Sequence, residues 1–342
     1  MEDESAEPET VETETTRFDD TGDLRLILYK QLSEEAAPNV FIFIVSSKAM
    51  SMACGAWNSM LNGPFKEAQS TSGDWEIELP EDDPAALAVL LNIVHLRFDL
   101  VPDELGFALL LQITVLTDKY DITRLIRPWA TSWFQAAQDI ASTTKSGYEE
   151  WLWIAWELGQ KNTFETLAAH LIQTVHVDAD GRCLTKAGRL LDPCGSPQQH
   201  FPPGIIERVL EIRQKVISDL LKVYYDPLEN FVKKRIAGLA MCEGTWQSSS
   251  CLQKCDELAF GSLCLVTKSV HELVSSLKKM SVQAYHEKAQ ANYYSPRREC
   301  TNYILTGQLL AAVEKVETSI PSAATEIHCN HLTRQAKKFG RT

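Results

Sequence analysis

The chain has 342 residues, of which 44% are apolar and 23% are charged, a composition typical of a globular protein with two or three domains. The formal net charge of −13 is divided unevenly, because residues 1–20 carry −8, residues 21–204 carry −10 and residues 205–342 carry +5. An acidic chain neutralises few phosphates, so nucleic acid is not expected as the direct ligand. Because residues 205–342 are mildly basic, a nucleic-acid role remains as a weaker alternative.

The sequence shows no targeting or membrane-spanning pattern. Its first residues lack the basic and apolar regions of a secretory signal, and its longest apolar runs, residues 40–45 and 85–91, are far shorter than a membrane span. Nine cysteines without tight spacing, together with no Asn-x-Ser/Thr site, are typical of a reduced compartment. We therefore expect an intracellular protein, cytoplasmic or nuclear, without membrane attachment.

The first ordered elements are predicted to be strands. Residues 1–20 consist largely of Glu, Thr and Pro, and this composition predicts a disordered acidic tail. Apolar and β-branched runs predict strands over residues 24–29 and 39–45, which form a hairpin, and alternating apolar and acidic residues predict a strand over 75–79.

Helices are predicted between and after these strands. Ser46 and Ser47 are suited to cap a first short helix, and a second short helix is predicted to follow it. Longer amphipathic helices are predicted from Pro84 and from Asp103, and another over residues 122–137. Three short strands interleaved with paired helices predict an α+β domain over residues 21–137, rather than a doubly wound parallel sheet.

The rest of the chain is predicted to be mainly helical. A helical extension is expected over residues 138–240, with a helical hairpin first and a long helix interrupted at Pro227 near its end. Residues 241–342 are expected to form a Cys-containing helical C-terminal region, whose last helix covers residues 323–338.

Several segments resemble parts of a BTB/POZ domain, in the same order and at compatible spacing. They are Gly22-Asp23-Leu24, Val45-Ser46-Ser47-Lys48, Asn62-Gly63-Pro64-Phe65-Lys66-Glu67, Glu78-Leu79-Pro80-Glu81-Asp82-Asp83-Pro84, Leu90-Leu91-Asn92-Ile93-Val94-His95 and Thr117-Asp118-Lys119-Tyr120-Asp121. The resemblance covers about residues 21–137 and is to the fungal group of BTB-containing proteins. The Trp-rich segment 151–159 resembles the helical extension that follows the domain in that group.

The resemblance implies two interaction sites. In BTB folds an acid at the first strand and a basic residue at the start of the first helix commonly face each other near the dimer cleft, positions that Asp23 and Lys48 match. The alternative is that Asp23 only makes a turn. Some BTB adaptors contact a cullin scaffold through a hydrophobic-x-Glu motif, which Phe65 and Glu67 match. The alternative is that Phe65 folds into the core while Glu67 is solvated.

The oligomeric state is left open by the resemblance. Many dimeric BTB domains begin with a helix that is exchanged between subunits, but the residues before Leu24 lack the apolar periodicity of such a helix. Because that helix is not predicted, homo-oligomerisation is left open. The short form of the fold, which is seen in adaptor subunits that resemble Skp1 and elongin C, is monomeric.

Four cysteines are candidate metal ligands. Cys251 and Cys255 are about one helical turn apart, so that both thiolates can reach one Zn²⁺ ion, and Cys242 and Cys300 are further candidates. Only one clear pair occurs, and the alternative is a set of reduced, buried thiols. No phosphate-binding glycine loop and no Gly-x-Ser-x-Gly elbow occurs, so zinc is the single cofactor considered.

These observations predict a non-enzymatic protein–protein interaction module, an adaptor or scaffold that acts through its BTB domain. Its partners are expected to be other proteins. Within that class, the specific alternatives are a substrate adaptor for a cullin-type ubiquitin ligase and a transcription-linked role. The alternative from a different class is a zinc-binding or thiol-dependent C-terminal region with an enzymatic or nucleic-acid role.

Overall fold

The computed structural model divides the chain into two compact units. The first comprises residues 1–161 together with 327–342, and the second comprises residues 162–326. The residues that the structure describes are 13–31, 38–68, 75–140, 147–192, 199–239, 257, 260–261, 281–282 and 311–341.

One small mixed sheet and many helices make up the described part of the first unit. The strands, in the spatial order β1-β3-β2-β4, are β1 Thr13–Arg17, β3 Asn39–Val45, β2 Leu24–Lys30 and β4 Glu76–Leu79. β2 and β3 pair antiparallel, as predicted for the hairpin, whereas β4 lies parallel to β2 and β1 lies parallel to β3. The predicted mixture of short strands and helices is thus present.

Alternation along β2 decides which face of the sheet is buried. Leu24, Leu26 and Leu28 are almost wholly inaccessible to solvent. Arg25, on the opposite face, lies across from Glu76 of β4, and its guanidinium is 3.1 Å from the carboxylate. Successive side chains of a strand point to opposite faces, so the leucines reach the core only in this register.

β1 corrects the prediction of a disordered tail. Its polar residues pair with β3 from Thr13 to Arg17, and the Phe18 N–H donates to the carbonyl of Ile44 at 2.8 Å. Phe18 is buried and its ring meets that of Phe43 edge to face, with 5.2 Å between centroids. The prediction is wrong for these residues, because hydrogen bonds from the edge of β3 hold a segment that has little apolar surface of its own.

The helices of the first unit surround this sheet. They are α1 Ser47–Ala53, α2 Gly55–Asn62, α3 Pro84–Val94, α4 Phe107–Lys119, α5 Ala130–Ile140 and α6 Trp151–Glu157, with short 3₁₀ turns at Phe98–Leu100 and Thr123–Ile126. α3 begins as predicted, because the Asp83 carboxylate accepts from the Ala86 N–H at 2.9 Å and Pro84 occupies the first turn. Leu87 and Leu90 of α3 are fully buried.

The tryptophan-rich segment contributes to the core of this unit. Trp133, Trp151 and Trp156 are buried. The indole N–H of Trp133 donates to the carbonyl of Pro102 at 2.8 Å, and the ring of Trp151 meets Phe134 edge to face. These three indole side chains therefore belong to the core of the first unit.

The second unit contains the long helix that the sequence predicts. Its elements are α7 Lys161–Thr174, which starts at the boundary, β5 His176–Val177, β6 Cys183–Leu184 and α8 Ile205–Ile236, and residues 311–318 are also helical. α8 continues through Pro227, so the predicted interruption is wrong. Proline removes one N–H donor and crowds the preceding turn, but the rest of a 32-residue helix retains its hydrogen bonds.

The last helix, α9 Glu326–Lys338, joins the first unit almost entirely, although the sequence assigned it to a separate C-terminal region. Its extent is close to that of the predicted helix over residues 323–338. Among the described helices, none combines the length and the apolar composition that a membrane crossing requires.

Candidate interaction site and buried polar cluster

Two polar side chains fix the start of α1. The Ser46 hydroxyl accepts from the Ala49 N–H at 3.3 Å, and the Ser46 N–H donates to Nε2 of His95 at 3.0 Å. The other ring nitrogen of His95 is 2.9 Å from the Leu91 carbonyl. A neutral imidazole satisfies both contacts, with Nδ1 as donor and Nε2 as acceptor. His95 thereby joins the end of α3 to the start of α1.

Asp23 also binds the start of α1, but through Ser47. Its carboxylate accepts from the Ser47 N–H at 2.8 Å and from the Ser47 hydroxyl at 2.6 Å. Lys48 is exposed and takes part in none of the ion pairs found among the described residues. Within the described part of the chain, the contacts of the Asp23 carboxylate are thus with Ser47 at the start of α1 and not with Lys48.

Phe65 lies on the turn after α2 with 56% of its surface exposed, so it does not fold into the core. Its ring lies against Gly63, where an added Cβ would be 3.0 Å from the ring and 2.3 Å from the Ser59 carbonyl oxygen. Glu67 is partly buried, and its backbone carbonyl accepts from the Trp75 indole at 2.8 Å. The turn is thus held at both ends while Phe65 faces solvent.

Further exposed apolar side chains were not predicted from the sequence. Met52 lies on α1, and three more large apolar residues cluster in sequence around the 3₁₀ turn after α3, namely Leu96, Phe98 and Leu100. Leu96 has a positive φ of 60°, which a branched side chain rarely adopts. In the sequence, the last three of these residues alternate with Arg97 and Asp99, and this alternation was the available signal that they do not belong to a continuous buried run.

The Lys119-Tyr120 pair has a structural role in this fold. The Tyr120 hydroxyl donates to the Asp82 carboxylate at 2.5 Å, and the Lys119 ammonium lies 2.7 Å from the same group. Burial, followed by the charge of Asp82, raises the pKa of Tyr120. These contacts tie α4 to the turn that precedes α3.

Glu157, at the end of α6, is the least expected polar group, because it is completely buried. Its carboxyl accepts from the Thr123 hydroxyl at 2.6 Å and from the Gln335 amide at 2.6 Å, and the Thr117 hydroxyl lies 3.3 Å away. Burial raises the pKa of Glu157 to about 8, against the opposing effect of the Thr123 hydrogen bond. Burial thus favours the protonated carboxyl, whereas the hydrogen bonds that it accepts favour the carboxylate.

His331 of α9 completes this cluster. Its ring stacks on that of Trp156 with 3.6 Å between centroids and 8° between planes, and its Nε2 is 3.8 Å from Glu157. Burial, and then the nearby Arg334, lowers the pKa of His331 to about 4. Sequence reasoning missed the cluster because its two halves are more than 150 residues apart in the chain.

The four candidate zinc ligands, Cys242, Cys251, Cys255 and Cys300, lie outside the described residues. Within the described ranges, no three His, Cys, Asp or Glu side chains are grouped as metal ligands. Of the cysteines placed there, Cys54 and Cys183 are buried, which raises the pKa of both thiols, that of Cys183 to about 12. Neither is activated as a nucleophile.

The chain matches no protein-family model, and searches of curated proteins and of solved structures likewise find no match.

Proposed function

We propose that the chain is a non-enzymatic protein–protein interaction protein whose first unit is a BTB/POZ-like domain acting as an adaptor or scaffold. The order of elements supports this proposal. A hairpin of β2 and β3 is followed by the short pair α1 and α2, then by β4 beside β2, and then by the paired helices α3 and α4. This is the succession of short strands and paired helices that the resemblance implies.

The exposed ring of Phe65 carries the more specific form of the proposal, a substrate adaptor for a cullin-type ubiquitin ligase. Phe65 lies where the resemblance implies the hydrophobic residue of a cullin-contacting motif, on a turn anchored by Gly63 and by the Trp75 indole. Aromatic side chains contribute much of the binding energy at protein interfaces when a partner covers them. A fixed turn lowers the entropic cost of that contact.

The test is direct titration of the full chain with purified cullin scaffolds. The double variant Phe65→Ala, Glu67→Ala is expected to lose about thirtyfold in affinity, which corresponds to a hot spot of about 2 kcal/mol. Circular dichroism is expected to remain unchanged, because Phe65 is not part of the core.

Phe98→Ala provides a matched control, since Phe98 is 51% exposed on a different turn. Its affinity should equal that of the wild-type chain. An equal loss in both variants would move the interface away from Phe65, and absence of binding by the wild-type chain would remove the cullin form of the proposal. Crosslinking and pull-down of the full chain then test the broader adaptor role.

A further inference from the structure

The second half of α8 contributes little to the core of the second unit. One face of the helix is buried over residues 205–220, whereas Phe231 is the only buried side chain among the described residues from 221 to 239. Val232 and Ile236 share a face of the helix and are both exposed, as is Leu239 shortly after it. Apolar side chains that are exposed as a contiguous group, rather than singly, are typical of interaction surfaces. These three residues form the exposed stripe of α8.

A cavity of about 270 Å³ lies beside the exposed stripe. Its described lining residues are Phe231, Val232, Arg235, Ile236, Glu257 and Phe260. The rings of Phe231 and Phe260 stack on each other, with 5.0 Å between centroids and 27° between planes. Because Ile236 and Phe260 are both exposed, the cavity opens to solvent. A cavity of about 150 Å³ accepts a benzene molecule, so this one has room for one bulky apolar side chain.

Basic residues flank the exposed stripe on both sides. The last turn of α8 contains Lys233, Lys234 and Arg235. With 3.6 residues per turn, Lys233 and Arg235 lie on either side of the stripe. Lys234 lies on the opposite face of the helix. Two cations therefore border a surface that is otherwise apolar.

The flanking cations are accessible to a ligand. Lys233 lies 2.6 Å from the Glu229 carboxylate, but both groups are largely exposed, and surface pairs of this kind contribute little. Within the described ranges, no carboxylate pairs with Arg235. Glu257 is the single carboxylate among the described lining residues of the cavity. In a chain of net charge −13, the end of α8 is thus a local site for negative charge.

We propose that the end of α8 is a docking site for an acidic segment of another protein, which inserts one bulky apolar side chain into the cavity and places its carboxylates against Lys233 and Arg235. Burial of the inserted side chain and of the exposed stripe supplies the affinity, and the flanking cations select the charge of the ligand. This inference is independent of the proposed adaptor function, since it concerns the second unit, whereas Phe65 lies in the first.

Two other occupants fit this surface less well. A second copy of the chain, seated symmetrically, would bring Lys233 and Arg235 of one copy against the same cations of the other, and like charges oppose such a contact. An anionic membrane would satisfy the cations, but it offers no side chain of defined shape to fill a cavity with an aromatic wall. A protein segment satisfies both the cavity and the cations.

Panning the purified full chain with a display library of random dodecapeptides tests the proposal, and the enriched peptides should carry an aromatic residue or leucine beside Asp or Glu. One enriched peptide, labelled with fluorescein, is then titrated by fluorescence anisotropy. Ile236→Ser should weaken its binding by about tenfold or more, because the ligand covers this side chain. Arg235→Gln should weaken it by about threefold at about 0.1 M salt, and this difference should disappear at about 1 M, where charges are screened within about 3 Å.

Each variant has a matched control. Ile327→Ser replaces an isoleucine of the first unit that is 79% exposed, close to the 82% of Ile236, and should bind the peptide as the wild-type chain does. Lys234→Gln removes the same charge as Arg235→Gln from the same turn but on the opposite face, so it should have the smaller effect.

The proposal is overturned if panning enriches no acidic peptides with an apolar residue, if Ile236→Ser and Ile327→Ser bind the peptide equally well, or if Arg235→Gln and Lys234→Gln have equal effects. Sedimentation with phosphatidylcholine vesicles that contain phosphatidylserine tests a membrane as the occupant, and light scattering tests a second copy. Vesicle binding or self-association that is lost in Ile236→Ser but kept in Ile327→Ser would assign the surface to that occupant and overturn the proposal.

Discussion

Replacing Gly159 by alanine separates the cost of backbone strain from the cost of displacing α9. Gly159 follows α6 with a φ of +63°, and the Gln160 N–H returns to the Ala155 carbonyl at 2.7 Å, as in a Schellman motif. An added Cβ would lie 2.4 Å from the backbone nitrogen of Ala336 in α9. Alanine therefore requires both a strained backbone and a retreat of the helix.

Gly238 is a matched control for this substitution. It follows α8 with a φ of +71° and the same pattern of returning hydrogen bonds, but an added Cβ there meets no atom of the described residues within 4 Å. Alanine at Gly238 should cost only the left-handed conformation, about 1–2 kcal/mol.

At Gly159 the clash adds a second term. Ordinary carbon contacts begin near 3.5 Å, so α9 must retreat by about 1 Å. That movement breaks the hydrogen bond between Gln335 and Glu157 and leaves a buried polar group unsatisfied, which costs about 1–3 kcal/mol. The expected total for Gly159→Ala is thus about 2–5 kcal/mol.

Urea unfolding followed by far-UV circular dichroism and by tryptophan fluorescence tests this difference. Seven of the eight tryptophans lie within residues 1–161, so fluorescence reports on the first unit, while circular dichroism also reports on α8. Gly159→Ala should also lower the protection of the α9 amides against hydrogen exchange, because the clash is with the backbone of that helix. Equal losses of stability in the two glycine variants would refute the steric reasoning.

Two further predictions concern the contacts of Tyr120 and of Asp23. Tyr120→Phe removes the hydroxyl that is hydrogen-bonded to Asp82. Because the acceptor is a charged group, the free energy of unfolding should fall by about 1.5–3 kcal/mol. Urea titration measures this loss, and a change below about 0.5 kcal/mol would contradict the prediction. Asp23→Ala should lower the free energy of unfolding by about 1 kcal/mol through the lost contacts with Ser47, whereas Lys48→Ala should leave it unchanged. Matched thermal melts compare the two variants, and equal losses of stability would favour a direct pairing of Asp23 with Lys48.

The sequence alone determined the elements whose pattern is local. The apolar alternation of β2 and β4, the capped start of α3 at Asp83 and the extent of α9 follow from residues within each element, so periodicity and capping preferences predict them. The resemblance implied that Phe65 is an interaction residue. Its exposure to solvent, rather than burial in the core, was decided by the packing of the fold.

Only the tertiary structure decided the elements that depend on distant partners. β1 is polar and pairs because β3 offers it an open edge, so its composition alone indicated disorder. Glu157 gives no signal in the sequence, since its pKa is raised by burial and its partners Thr123, Gln335 and His331 are contributed by other segments. A pattern within one segment reports which side chains prefer burial, but the environment of a buried polar group is set by the whole fold.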